Sequence, residues 1–184
     1  MNLCKRCTAP LVLLGSIWLL FLSCTGDSGA ELPPQINTSG RIIVVDELLA
    51  TGFRKVREYE TDGLPGATAV LYGFLRTDSD PVYDYEVRFY EDHTQAVELG
   101  TALAEEGSGP NAVIKENDAV YKEGVKDRRV TIGKPDYGEA TGGIGPKYGG
   151  FVTYENLIVL CQGANLEQSL EHCNLLTSAL KSPE

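Results

Sequence analysis

The chain has 184 residues, with 16 Lys and Arg against 26 Asp and Glu and a formal net charge of −10. That length suits one domain with a core of its own. A binder of phosphate backbones needs the opposite charge balance, so nucleic acid is excluded as a partner.

The first six residues contain Lys5 and Arg6 and no acid, the bias that keeps an N-terminus on the cytoplasmic side of a membrane. Leu11 to Leu22 is almost wholly apolar but shorter than the roughly 20 residues a spanning helix needs, so it reads as the core of an export signal. Leu20-Phe21-Leu22-Ser23-Cys24 follows. This resembles the lipobox of bacterial lipoproteins, in which a small residue precedes an obligatory cysteine that is diacylated and becomes the new N-terminus. Ser23 and Cys24 match; Phe21 and Leu22 stand where that family usually has Leu and a small residue, which leaves ordinary signal-peptidase cleavage or an uncleaved anchor open. The resemblance implies a signal peptide over residues 1–23, a lipid on Cys24, and an exported protein held through it on the extracytoplasmic face of a bacterial membrane. Cleavage there removes Lys5 and Arg6 but no acid, leaving −12.

Residues 25–40 are rich in Gly, Ser and Pro and lack apolar periodicity, so residues 24–40 are read as lipid-bearing cysteine plus flexible tether and 41–184 as a single globular domain. Ile42, Val45, Leu48 and Leu49 favour a short helix ended by Gly52. Val56 and Tyr59 alternate weakly, Gly63-Leu64-Pro65-Gly66 marks a turn, and Ala67 to Leu75 is a strand with a possible bulge at Gly73. In Val82–Tyr90, Tyr83, Tyr85, Val87 and Phe89 share one face, and Asp84, Glu86, Arg88 and Tyr90 lie on a face expected to be wet. Asp92 with Gln95 forms a capping pattern for a helix that Gly107 stops.

Short strands are expected at 111–115 and 118–132, then a glycine-rich loop over 142–150. Phe151 to Leu160 returns to strand character with a hairpin turn at Glu155-Asn156. Asn165 and Gln168 repeat the capping pattern before a helix whose apolar face includes Leu166, Leu170, Cys173 and Leu180. These signals predict an α+β domain: an antiparallel sheet with two or three helices packed on one face, built from two strand-strand-helix units.

Cys4 and Cys7 leave with the signal and Cys24 takes the lipid, so Cys161 and Cys173 remain as an even pair expected to form a disulfide in an oxidising compartment. The loop residues Gly143, Gly145, Lys147 and Tyr148 are the candidate ligand or partner loop, with backbone N–H groups and Lys147 to meet an anion and Tyr148 to stack. A plain surface loop is the competing reading.

Other motifs are decoys. Gly26-Asp27-Ser28-Gly29 copies the tetrapeptide around a serine-protease nucleophile but lies in the tether. Cys4-x-x-Cys7 precedes the apolar run instead of following a strand. Asp78, Asp80 and Asp84 lack the spacing of a calcium loop, and His93 and His172 lack ligand spacing and read as surface residues. Lys122, Lys126, Arg128 and Arg129 are interleaved with Glu123 and Asp127 and read as a solvated face. Tyr83, Tyr85, Phe89 and Tyr90 read as sheet core before a carbohydrate platform. Asn37-Thr38-Ser39 fits a glycosylation sequon without meaning in a bacterial cell. No metal, cofactor or catalytic set emerges. The sequence therefore points to a non-catalytic domain binding an unknown protein or envelope ligand, with a membrane-surface or assembly factor and an envelope hydrolase as alternatives.

Overall fold

Strand alternation places the centre of the sheet. In the computed structural model, which describes residues 34–76, 81–132 and 143–181, strand β4 (Tyr83–Tyr90) turns Tyr85, Val87 and Phe89 to one side and Glu86, Arg88 and Tyr90 to the other, and all six are buried. Its neighbour β8 (Leu157–Gln162) pairs antiparallel with it, Val87 opposite Val159. A strand covered on both faces should be a continuous apolar run, and Leu157-Ile158-Val159-Leu160-Cys161 is one.

Outward from β4 lie β3 (Ala67–Leu75) and β2 (Phe53–Tyr59); outward from β8 lie β7 (Tyr148–Tyr154) and the two-residue β1 (Ile36–Asn37). The order is β1-β7-β8-β4-β3-β2, antiparallel throughout except for the parallel β1–β7 pair. Strands β5 (Arg129–Ile132) and β6 (Gly143–Pro146) form a separate antiparallel ribbon. The β2–β3 turn has positive φ at Gly63 and Gly66, as the Gly-Leu-Pro-Gly pattern predicts.

Helix α1 (Val45–Ala50) stops before Gly52, whose φ is +91°. Next come α2 (His93–Gln95), a π-helical segment at Ala96–Gly100 and α3 (Thr101–Gly107). The cap is the one read from sequence: Asp92 Oδ1 accepts the Gln95 N–H at 2.8 Å. Likewise Asn165 Oδ1 accepts the Gln168 N–H at 2.9 Å at the start of α4 (Leu166–Lys181).

The α+β class, the largely antiparallel sheet and the two strand-strand-helix units are all present. The helices are divided between the faces, however, and do not share one. Leu48 of α1 and Leu170, Leu176 and Leu180 of α4 join the core with Tyr85, Val87 and Val159. Ala96 and Ala104 cover the opposite face with Ile158 and Leu160. Because β8 is apolar on both sides, leaving either side bare would expose buried-type residues to water.

The second face of β4, expected to be wet, is therefore closed: Glu86, Arg88 and Tyr90 are each 2% exposed or less. No strand forms at 111–115, and of 118–132 only β5 is strand, the rest being turns. Gly73 does not bulge; it pairs with both Lys55 and Tyr85, while irregularities fall at Lys55/Arg57 and Ala67/Ala69. The last residues of the expected tether join the sheet. The Gln35 and Asn37 carbonyls accept the N–H groups of Thr153 and Glu155 at 2.7 and 2.9 Å.

At the β7–β8 hairpin, Glu155 has φ +53°, uncommon for a residue with a side chain. Its carboxylate accepts from the N–H groups of Ser39 and Arg41 and the hydroxyls of Thr38 and Ser39, which fixes the turn. Burial would raise its pKa, but these donors hold the carboxyl below its ordinary value. Asn156 adds a second tie, accepting from Ile43 N–H and donating to the Ile43 and Tyr90 carbonyls. Cys161 and Cys173 form a disulfide with Cα atoms 5.5 Å apart, joining the end of β8 to the buried face of α4.

Candidate functional site

The candidate loop residues separate into different environments. Gly143 and Gly145 lie in β6, opposite Ile132 and Val130, with Gly145 buried and Gly143 exposed. Gly142 lies outside the described residues. Lys147 is held on both sides of its peptide, its N–H donating to the Arg128 carbonyl and its carbonyl accepting from Gly163 N–H. Its ammonium is 2.6 Å from Asp84 Oδ2, donates to Tyr72 Oη at 3.0 Å and lies 5.0 Å from the Tyr72 ring centre. Tyr72 Oη in turn donates to Asp84 Oδ2 at 2.9 Å.

Electrostatics close this triad chemically. Burial would lower the pKa of Lys147, but Asp84 and Tyr72 hold it above the ordinary lysine value. Burial raises Tyr72 too. Near neutral pH one is a fixed cation and the other a neutral phenol, which does not make a nucleophile or a general base. Tyr148 is fully buried, and burial pushes its phenol well up.

Behind the triad lies a buried ionic cluster that the sequence reading missed. Glu86 Oε1 accepts from Arg88 Nε at 2.9 Å and from Arg128 Nη2 at 3.1 Å, and Glu86 Oε2 accepts from Arg128 Nε at 2.9 Å. Arg128 also donates to the Tyr121 and Glu123 carbonyls. The Tyr121 ring lies 5.5 Å from Arg88 Cζ and 5.0 Å from Arg128 Cζ. Burial would raise the Glu86 carboxyl, but the two guanidiniums hold it below its ordinary value. Arg128 was read as part of a solvated face; it is 1% exposed because it supplies this pairing, while Lys122 and Lys126 remain exposed. The available signal was the polar side of β4 beside an otherwise core-like strand, but its partner stands 42 residues away.

His172, read as a surface residue, is 7% exposed; its ring stacks on Tyr83 with centroids 3.5 Å apart, and its Nδ1 lies 2.5 Å from the Gln162 carbonyl. His93 Nδ1 lies 2.6 Å from the Glu155 carbonyl. Tyr85 donates to the His172 carbonyl, so Tyr85, Phe89 and Tyr90 are core and offer no flat exposed platform. Among the described residues no group of three His, Cys, Asp or Glu is placed to hold a metal, and no helix is long and apolar enough to cross a membrane. Cys24, Asp78, Asp80 and Gly26–Gly29 lie outside the described residues.

An open concave surface lies at the other end of the glycine-rich run. Gly149, Gly150 and Phe151 of β7, Gly109 and Pro110 after α3, and Leu166 of α4 line a groove of ≈ 370 Å³, with Gln35 at its rim. Its floor is tight: a side chain at Gly150 would meet Leu166 Cδ1 at 2.6 Å, and one at Gly149 would strike the Asn165 carbonyl. Glycine is required there to bring β7 against the start of α4.

A family model described as a family of unknown function, DUF6810, matches residues 44–182. The chain belongs to that family. No curated protein and no solved structure matches the chain. The DUF6810 match covers the sheet from β2 to β8, all four helices and the disulfide, but begins after β1 and the residues clamped by Glu155.

Proposed function

We infer that this DUF6810 protein is an exported lipoprotein, anchored through Cys24, whose globular domain binds a protein or envelope component without catalysing a reaction. The observation that carries the binding reading is the groove between β7, the α3 end and α4, an accessible concavity walled by backbone, Phe151, Pro110 and Leu166. The polar groups best suited to chemistry, Lys147, Tyr72, Asp84 and Glu86, are instead tied to one another or to buried arginines. The groove rim at Gln35 is eleven residues from Cys24. At about 3.5 Å per extended residue, such a leash holds it within about 40 Å of the lipid.

Two measurements test this. Membrane fractionation with intact mass should give a diacylated wild-type protein beginning at Cys24, and Cys24→Ala should be soluble and unlipidated; a wild-type protein retaining residues 1–23 overturns the anchor. Hydrogen exchange of the protein in native envelopes against the purified domain should show added protection confined to Gly109–Asn111 and Gly149–Phe151. Unchanged exchange there overturns the groove as the binding surface.

A further inference from the structure

Strand β7 is covered along only part of its outer edge. The Gln35 and Asn37 carbonyls accept the N–H groups of Thr153 and Glu155, and at the start of the strand the Tyr148 carbonyl accepts the Gly109 N–H. Between these attachments lie Gly149, Gly150 and Phe151. Backbone N–H groups two residues apart point to the same side of a strand, so the Phe151 N–H shares the outward direction of Thr153 and Glu155. The ladder bonds to β8 belong to the alternate residues, Val152 and Tyr154. The Phe151 N–H therefore meets no acceptor among the described residues, and the Phe151 carbonyl accepts from the side-chain amide of Gln35 at 3.3 Å on the surface.

This gap in the edge is the groove itself, which Gly149, Gly150, Phe151 and Gln35 all line. An edge with open backbone groups is a template for another extended chain. Pro33 and Pro34 carry no N–H with which the lead could extend β1 along it, and Pro34 lines a separate cavity on the α4 side with Asn174 and Thr177. The walls suit the alternating side chains of a strand: Leu166, 44% exposed, stands on the α4 side and Pro110 on the α3 side. The Gln35 carboxamide already sits on the edge as a peptide group would. Charge narrows the choice further. The lining includes Glu105 and no Lys or Arg, and Glu167 follows Leu166; both acids are exposed, on a chain of net charge −10.

We propose that the groove takes an extended, basic peptide segment of a partner protein, added as a short strand to the edge of β7. A carbonyl of the segment accepts the Phe151 N–H, and one of its N–H groups replaces the Gln35 amide on the Phe151 carbonyl. Its side chains alternate between Leu166 and Pro110, and its Lys or Arg residues meet Glu105 and Glu167. This rests on the groove being the binding surface and names the chemistry of what binds there.

The test uses two synthetic hexapeptide libraries, acetylated and amidated, random at the four central positions and ended by Lys in one and by Glu in the other, presented to the whole protein in detergent micelles. The Lys-ended library should bind at least about tenfold more tightly. With its best binder, an NMR titration should shift the Phe151 amide and slow its exchange with solvent. Methylating the peptide's backbone nitrogens one at a time should abolish binding at alternate positions, the period of a strand. Glu105→Lys, at an exposed position, should reverse the charge preference. No binding from either library, a preference for Glu ends, or binding that leaves the Phe151 amide unmoved would overturn the added strand. Protection of the groove in native envelopes without any peptide binding overturns the strand alone; absence of both overturns the groove as well.

Discussion

Glu86 shows how one residue organises a face of the sheet. On β4 it looks like the solvent side of an amphipathic strand, yet it is 1% exposed and joins Arg88 to Arg128. Glu86→Gln leaves two buried guanidiniums without their counter-charge and should cost about 3–5 kcal/mol in chemical denaturation. The pH dependence follows from the lowered carboxyl. Its stabilisation is fully present above the unfolded glutamate value of about 4.3 and is lost as pH falls through the native value, so wild type should lose stability on the acid side more steeply than Glu86→Gln. Lys147 acts oppositely: its pKa is raised, so its contribution is intact below about 10.4 and declines as pH rises through the native value. Lys147→Met should flatten that alkaline limb in a denaturation series against pH. None of this was legible in sequence. Arg128 sits among Lys122, Lys126 and Asp127, where local reasoning sees a solvated charge run, and only long-range pairing reveals that one of the four basic residues is core.

At the scale of elements, local signals were reliable wherever the determinant was local. The Asp92 and Asn165 caps, the Gly63–Gly66 turn and the span of β3 depend on neighbours in sequence and were placed correctly; the Glu155-Asn156 hairpin was placed too, but its ties to Thr38–Ile43 were not legible. Strand β2 was faint because five of its seven residues are exposed and the register slips between Lys55 and Arg57. The segment 111–128 was misread because its buried apolar residues, Ala119, Tyr121 and Val125, are spaced along turns, with Tyr121 packing against Tyr59, Leu64 and Val70. Of the candidate loop, only the Gly149–Gly150 end reaches the groove, since pairing of β6 with β5 and the Lys147–Asp84 contact fix the rest. The Cys161–Cys173 pair was legible because the strand and helix periodicities both point the thiols into one core. Reduction should cost about 3 kcal/mol in urea unfolding, by the entropy of the closed loop, and loosen α4 first in hydrogen exchange. Gly73→Ala tests the β2–β3 contact. A Cβ there would strike the Arg54 carbonyl and meet the Phe53 ring at 2.7 Å, so the variant should lower Tm by well over the few degrees a surface change produces.

Over the whole molecule, the sheet is sandwiched by unlike layers. One face is an apolar core under α1 and α4; the other is a mixed layer of tyrosines and paired charges under α2–α3 and the 108–128 segment. A polar interior of that kind is strongly penalised when any member is missing, so the two faces should respond differently to the same class of change. Leu176→Ala should cost about 2–5 kcal/mol as a cavity mutation, and repacking with Met should recover most of it. At Glu86 no apolar replacement should restore stability unless Arg88 and Arg128 are changed with it, which a triple substitution followed by calorimetry would measure.

The clamp at Glu155 has a mechanical meaning. Tension applied along the chain at Pro34 first meets the Gln35 and Asn37 carbonyls bonded to β7, and then the carboxylate gripping Thr38, Ser39 and Arg41. From there Asn156 passes it to Ile43 and Tyr90, on the central strand of the sheet. The N-terminal lead is thus fastened like a rope spliced to a beam: the two sheet-edge bonds of Gln35 and Asn37 take a tug first, and behind them the Glu155 splice passes the load to the middle of the fold.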